Sequence, residues 1–269
     1  MGIAAEFAVE ISRMPLPNIT DLCVVTAVEV EFNAATSLLL SKIFSTESQV
    51  KICRGNLAHR RITVLQCGMG APGFGKWLAA HLKTNRYDAL LIAGLGGGLN
   101  PHLKSGDAVL YDICHDGRGF KEKPSGCDEK ARLRCNDDLL ELLQSSLAFS
   151  GRSYTRSSGV TVSRIITEAK EKILLGESYQ AAAVDMESYD VLGICEAFHL
   201  PAAVLRIISD EAGGDLPDFN YAVTADGQMN IWRTAVAMAM RPAASLRFLR
   251  SIRPVLKSLE ATLKVVLNV

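Results

Sequence analysis

The stretch that decides the fold covers residues 180–214 and reads QAAAVDMESYDVLGICEAFHLPAAVLRIISDEAGG. Apolar residues recur at helical spacing over 187–199, which predicts a helix, and the apolar run at 201–210 predicts a buried strand. Acidic residues lie on both sides of this unit, with Asp185 and Glu187 before it and the pair Asp210–Glu211 after it. Burial of carboxylates is costly unless they are paired or used. The stretch therefore predicts either acids at solvated element ends or a functional site.

The rest of the chain repeats the alternation of apolar strands and amphipathic helices. Further strands are predicted at 21–28, 60–67, 87–94, 107–115 and 158–166, and further helices at 29–43, 75–85 and 137–150. Short glycine-rich joins connect them. This order predicts an α/β fold, a three-layer αβα sandwich with a mixed central sheet. We expect a lead-in at 1–20, one domain at 21–240, and a basic amphipathic C-terminal helix at 241–269.

Composition excludes several classes of protein. The 29 basic and 29 acidic residues cancel, which argues against a nucleic-acid partner. Seven cysteines without a Cys-x-x-Cys pair predict reduced thiols and a cytoplasmic location rather than disulfides or a zinc site. The N-terminus lacks the basic start of a secretory signal, and no apolar run is long enough to span a membrane. We expect no metal and no organic cofactor.

One glycine motif allows a different class of enzyme. Residues 68–73 read GMGAPG, so Gly68, Gly70 and Gly73 match the dinucleotide-binding pattern between a strand and a helix. That pattern needs an acidic residue at the end of the next strand, and Asp88 instead precedes the strand. An NAD(P)-dependent oxidoreductase is therefore the alternative, and a tight turn is the simpler interpretation.

The loops after the predicted strands carry the candidate chemistry. They read AVEVE (27–31), CGMGAPG (67–73), GLGGGL (94–99), VDMES (184–188) and SDEAGG (209–214). Sites in α/β sheets lie at the carboxyl ends of strands. These blocks therefore converge on one predicted site.

Together and in this order, TAVEVEF (26–32), CGMGAP (67–72), AGLGGGLNPHLKSGDAVL (93–110), VDMES (184–188) and RIISDEA (206–212) resemble the nucleoside phosphorylase/nucleosidase superfamily. The resemblance covers about residues 21–240. It implies cleavage of the N-glycosidic bond between a base and ribose, and members of this family usually form homo-oligomers.

The resemblance also implies roles for single residues. Glu31 resembles the carboxylate that activates the attacking water, Met186 and Glu187 resemble the ribose-binding pair, and Asp210 resembles the acid that protonates the purine. Asp185 has a positioning role in the family. The other positions expected to bind substrate are Ala27, Val28, Leu95, Gly96 and Ser209.

General chemistry independently favours acids at these positions. A purine base leaves poorly until it is protonated, and the sugar gains positive charge as the bond lengthens. A carboxylate stabilises that charge in a dry site, and its two oxygens suit two neighbouring ribose hydroxyls. Burial at a strand end would favour the protonated form of Asp210. Each acid could alone be an ordinary helix-start residue or cap.

The nucleophile is expected to be water. Phosphorylases of the family place Arg and Ser/Thr where this chain has Ile92, Leu95 and Gly73, and Glu31 would repel phosphate. Leu95 also departs from the serine of the nucleosidases, so neither branch matches fully. Arg118, Arg164 or a partner subunit's arginine remains an alternative source of a phosphate site, with phosphate as co-substrate.

The substrate is expected to be an adenine nucleoside with a modified 5′ position. The tail at 241–269 resembles the hopanoid-associated phosphorylase branch, which would make adenosylhopane a candidate substrate. Leucines and basic residues alternate along this tail. Such a helix either docks on protein or lies on a membrane surface as a peripheral contact.

Overall fold

The computed structural model describes residues 19–70, 73–120, 131–224, 227 and 230–268. The lead-in expected at 1–20 falls outside the described residues except for its last two positions. Ala71 and Pro72 of the GMGAPG motif also fall outside them.

The described residues form ten β-strands and seven α-helices. The strands are β1 Asp21–Thr26, β2 Leu40–Glu47, β3 Val50–Leu57, β4 Arg60–Gln66, β5 Ala89–Gly98, β6 Ala108–Asp116, β7 Arg132–Arg134, β8 Tyr154–Thr161, β9 Ala181–Asp185 and β10 Ala202–Asp210. The helices are α1 Glu29–Ser37, α2 Phe74–Thr84, α3 Asp137–Phe149, α4 Ala169–Tyr179, α5 Ser188–Ala197, α6 Ile231–Met240 and α7 Pro242–Val266.

A mixed sheet forms the centre of the fold, and β5 is its hub. β5 pairs in parallel with β1 on one side and with β10 on the other. Beyond β1 the sheet continues through β4, β3 and β2, the last two pairings being antiparallel. Beyond β10 it continues through β6, β8 and β9, and β9 pairs back onto the end of β5 at Gly97 and Gly98. Five strands thus close into a ring, and four extend from it as an open sheet.

Helices cover the sheet in two groups. α1 and α3 both contact α7, and α2 contacts α5. β10 is contacted by α7 from the first group and by α5 from the second. The expected α/β fold with a mixed central sheet is therefore confirmed. The central strands are buried on both faces, which explains why β1, β5 and β10 read as continuous apolar runs.

The helix predicted at 29–43 is wrong in its second half. α1 ends at Ser37, and residues 40–47 form the edge strand β2. The prediction continued the helix through the apolar residues at 38–43. In the structure Leu40, Ile43 and Phe44 are exposed on this edge, and β2 is held by antiparallel pairing with β3. Neither β2 nor β3 was predicted.

Two other elements differ from expectation in extent. The strand predicted at 158–166 lies at Tyr154–Thr161, where it pairs in parallel with β6. The expected C-terminal helix is α7, and the C-terminal half of its apolar stripe is docked on protein, whereas Leu246 and Leu249 in its first half are exposed. Val255, Leu259, Leu263 and Val266 are buried in the core.

Candidate active site

One cavity of about 240 Å³ opens where the carboxyl ends of β1, β5, β9 and β10 meet. All ten positions that the sequence assigned to the site line this cavity, namely Ala27, Val28, Glu31, Leu95, Gly96, Asp185, Met186, Glu187, Ser209 and Asp210. The convergence that the sequence predicted therefore holds in the structure.

Glu31 lies at one wall of the cavity with its carboxylate held by the backbone. Its Oε2 accepts hydrogen bonds from the amides of Ala27 at 2.8 Å and Val28 at 3.1 Å, as a first-turn helix acid does. Its Oε1 accepts the amide of Leu95, on β5, at 2.7 Å. Burial raises the pKa of this carboxyl, although Arg206 and the three amides oppose the shift. A buried carboxylate of raised pKa suits a general base.

Gly94 makes room for this carboxylate. A Cβ atom at residue 94 would lie 2.6 Å from Oε1 of Glu31, well inside van der Waals contact. The lack of a side chain at Gly94 therefore leaves space for the Glu31 carboxylate.

A hydrogen bond between Gly70 and Glu187 connects two of the motifs that the sequence predicted to converge. The amide of Gly70 donates to Oε1 of Glu187 at 2.8 Å, and Gly70 has the left-handed φ of 58° that aims it there. Burial raises the pKa of Glu187 to about 7, with Arg206 opposing this and Asp185 adding to it. The glycine motif at 68–73 is thus used inside this site.

Arg206, which the sequence analysis missed, holds Asp185 and Glu187 in place through its guanidinium. It is a fully buried side chain of β10 whose guanidinium donates to Oδ2 of Asp185 at 3.2 Å and to Oε2 of Glu187 at 3.4 Å. Asp185 also accepts from the Thr161 hydroxyl and the Ser188 amide. Burial raises the pKa of Asp185, but Arg206 and these hydrogen bonds outweigh it and hold the pKa below its ordinary value. Asp185 is therefore a structural anion.

Asp210 lies at the opposite wall, at the end of β10, and is paired with a second missed residue. Nζ of Lys172, on α4, lies 2.5 Å from Oδ2 of Asp210. The hydroxyl of Ser209 lies 2.5 Å from Oδ1. Both carboxyl oxygens of Asp210 are therefore engaged by neighbouring side chains.

The alternative phosphate ligands lie in different places. Arg118 pairs with Asp116 and Asp190 and does not line this cavity. Arg164 is the one cation among the described lining residues, and it pairs with Glu171. Ile92 is buried in β5.

The cavity also has an apolar lining. Val162, Ile166, Leu216 and Phe219 are buried side chains that line it, together with the part-buried Ile165. This wall offers no charge to a ligand. It suits an uncharged apolar group.

Comparison with known proteins places these features in a family. Residues 21–244 match the family model described as "Phosphorylase superfamily". Similar solved structures include 5′-methylthioadenosine/S-adenosylhomocysteine nucleosidase from Neisseria meningitidis in complex with methylthio-immucillin-A, with a TM-score of 0.70 and 17% identity over 92% of this chain and 98% of that chain.

Two further structures show the same fold. S-adenosylhomocysteine nucleosidase from Streptococcus pyogenes has a TM-score of 0.71 and 15% identity over 94% of this chain and 98% of that chain. Futalosine hydrolase of Helicobacter pylori has a TM-score of 0.63 and 17% identity over 87% of this chain and 97% of that chain. The family match confirms the resemblance drawn from the motifs, and with it the expectation of an enzyme.

Proposed function

The chain belongs to the phosphorylase superfamily, and on that premise we propose that it hydrolyses the N-glycosidic bond of an adenine nucleoside modified at the 5′ position, releasing free adenine. The observation that carries this proposal is that Glu31, Glu187 and Asp210 line one cavity. They come from three separate parts of the sequence.

Each acid has a role that its surroundings support. Glu31 takes a proton from the attacking water, because its carboxylate is buried and faces the cavity. Glu187 binds the ribose hydroxyls through carboxylate oxygens and stabilises the positive charge that develops on the sugar. Met186 offers the sugar an apolar surface. Asp210 passes a proton to the purine ring as the bond breaks. The proposed reaction needs no metal and no organic cofactor.

Water is favoured over phosphate by the charges in the cavity. Four carboxylates, those of Glu31, Asp185, Glu187 and Asp210, line it, whereas Arg164 is the one cation among the described lining residues and is already paired with Glu171. A phosphate dianion would be repelled by this arrangement. Phosphorolysis through Arg164 is the competing reaction.

The apolar wall supports an apolar 5′ substituent, and adenosylhopane is the extreme case that we propose to test. The cavity of about 240 Å³ is smaller than the roughly 300–1,000 Å³ of pockets that enclose a drug-sized ligand. A hopane skeleton would therefore have to extend beyond the cavity, past the part-buried Thr234 of α6.

The exposed face of α6, the helix that contains Thr234, supports a peripheral membrane contact. Trp232, Val236 and Met240 recur at a spacing of four residues and are 82%, 54% and 75% exposed. Six basic residues and no acidic residue occur between Gly227 and Leu259. The described helices include none long and apolar enough to cross a bilayer. An anionic lipid surface is the partner that this local excess of positive charge fits.

Sedimentation with vesicles tests the membrane contact. We expect the protein to bind phosphatidylglycerol-containing vesicles and to ignore purely zwitterionic ones. Replacing Trp232 and Met240 by Ser should abolish binding, and replacing the exposed Phe149, on α3, by Ser should not. Equal binding by the double variant would contradict the proposal.

The reaction is tested by assaying adenine release from a panel of adenine nucleosides, with and without inorganic phosphate. We expect methylthioadenosine and adenosylhopane to react better than adenosine, equal rates in both buffers, and free reducing sugar as the co-product. A sugar 1-phosphate would establish phosphorolysis. Turnover of methylthioadenosine with no release from adenosylhopane would exclude the hopanoid substrate.

A matched pair of variants tests the role of Glu31. Glu31→Gln removes the base and should lower kcat by roughly 10²–10⁴-fold, the usual contribution of general acid–base catalysis. Glu29→Gln changes an exposed acid of the same helix turn, which pairs with Lys51, and should leave kcat unchanged. Similar rates for the two variants would refute the assignment.

A further inference from the structure

The Lys172–Asp210 pair raises a question about where the proton for the leaving base comes from. Lys172 has no solvent exposure, which is rare for lysine unless its charge is fully paired. Its ammonium lies 2.5 Å from Oδ2 of Asp210, 2.9 Å from the carbonyl oxygen of Gly214 and 3.3 Å from that of Glu211. These three acceptors satisfy the three hydrogens of a charged ammonium.

This arrangement is costly, which argues that the charge has a use. Lys172 lies near the N-terminus of α4, where the helix dipole disfavours a positive charge. Both oxygens of Asp210 are engaged, one by Lys172 and one by the Ser209 hydroxyl, as in an ionised carboxylate. An ionised Asp210 has no proton of its own to give.

Building on the proposed function, we propose that Lys172 holds the proton that Asp210 delivers to the departing base. Lys172 is then a positioning residue that acts through Asp210. As the bond between C1′ and the base breaks, its electron pair moves into the purine ring, and a ring nitrogen takes a proton from Asp210. In the same step Asp210 receives this proton from the Nζ–H of Lys172, which leaves a neutral amine.

Solvent can return the proton to the Lys172–Asp210 pair from a second cavity. Asp210 also lines a second cavity with Ser105, Glu211 and Arg250. Water there can reprotonate the pair while substrate fills the first cavity. The water that attacks the sugar gives its own proton to Glu31, so the reaction adds one water across the bond.

Other charges near the pair are already engaged. Glu211 pairs with Lys104, Glu171 pairs with Arg164, and Asp215 accepts the amide of Ala169. Arg250 lies across the second cavity. Across the first cavity burial raises the pKa values of Glu31 and Glu187, but both act as carboxylates in the proposed reaction, so their deprotonation does not cause a loss of activity. Loss of activity at alkaline pH therefore reports on the proton of the Lys172–Asp210 pair.

The test is the pH profile of kcat for adenine release by the full-length chain. In Lys172→Met the proton can reside only on a carboxyl group, which loses it at lower pH than an ammonium does. We expect the alkaline limb of kcat to move at least about one pH unit lower and kcat at pH 8 to fall about tenfold or more, with KM changed much less. The exposed Lys170 of the same helix supplies the control, and Lys170→Met should match the wild type.

Lys172→Arg separates proton transfer from a purely structural role. A guanidinium keeps the charge and can hold the same carbonyls, but it does not release a proton in this pH range. This variant should fold and bind substrate, with kcat reduced at every pH. Wild-type kcat in Lys172→Arg, or an unmoved alkaline limb in a folded Lys172→Met, would overturn the inference. A wild-type chain that releases no adenine would instead contradict the proposed function itself.

Discussion

Single residues hold the site in place through contacts with backbone. Glu31 is fixed by three amides, two of its own helix start and one from β5. Glu187 is fixed by the amide of Gly70. These contacts orient the carboxylates before substrate arrives, which lowers the cost of reorganisation during the reaction.

Gly94→Ala tests whether this fixed position of Glu31 matters. The new Cβ would lie 2.6 Å from Oε1, so the Glu31 carboxylate must move and lose backbone hydrogen bonds. We expect kcat to fall more than about tenfold and the free energy of unfolding to fall by only about 1–3 kcal/mol. Gly193→Ala is the control, since its Cβ makes an ordinary 3.5 Å contact with Leu133. Wild-type kcat in Gly94→Ala would contradict the role of the glycine.

Glu187 should make the stability of the protein depend on pH. Its folded pKa of about 7 exceeds the ordinary 4.5 because of burial, so the folded state binds its proton more tightly than the unfolded state. The stabilisation is complete below the ordinary pKa and is lost as pH rises through about 7. Urea unfolding should show Glu187→Gln losing this dependence, a difference of at most about 3 kcal/mol between pH 5 and pH 8. Parallel curves of unfolding free energy against pH for the wild type and Glu187→Gln would disprove this prediction.

At the scale of residues, the sequence predicted the acids but not their partners. Glu31, Glu187 and Asp210 are recognisable because each lies in a short motif after a strand. Arg206 and Lys172 read as ordinary members of a strand and a helix. Lys172 meets Asp210 across 38 positions of sequence, and only the tertiary fold brings them together.

Elements converge on the site because β10 delivers three polar side chains from one strand. Arg206 points into the buried acids, and Ser209 and Asp210 follow at the carboxyl end. An irregularity in the pairing of β10 with β5 occurs between Ile208 and Asp210, where Asp210 comes opposite Gly97. β10 therefore contributes side chains to both the core and the cavity.

Arg206→Met should destabilise the protein strongly, because it leaves Asp185 and Glu187 buried without their cation. Breaking a buried ion pair costs about 3–5 kcal/mol, which urea unfolding would measure. Arg156→Met removes an exposed pair with Asp137 and should cost no more than about 1 kcal/mol. Equal losses in the two variants would show that the buried network contributes little.

Prediction at the level of elements succeeded for the central strands β1, β5 and β10 and failed at the edge of the sheet, and it also missed the buried strand β9. Continuous apolar runs marked β1, β5 and β10, since both of their faces are covered. β2 exposes Leu40, Ile43 and Phe44, so its sequence gives no inward-facing alternation. Helical spacing of apolar residues was therefore misleading there.

The whole molecule combines a closed ring of five strands with an open sheet, and the cavity lies where the two meet at β5. The sequence predicted the α/β class but not the closure, because β9 joins β5 through only two residue pairs, at Gly97 and Gly98. Closure places Asp185 and Glu187 opposite Glu31. The fold thus brings acids from distant segments around one small space.

The most direct test of the account is adenine release from methylthioadenosine by Asp210→Asn, beside Glu211→Gln as the control. Asp210 lines the cavity, whereas its neighbour Glu211 is partly exposed and pairs with Lys104. We predict that the first variant folds, binds the nucleoside and releases adenine at least about 10²-fold more slowly, while the second keeps the wild-type rate. Wild-type release by a folded Asp210→Asn would contradict the proposed chemistry of this cavity.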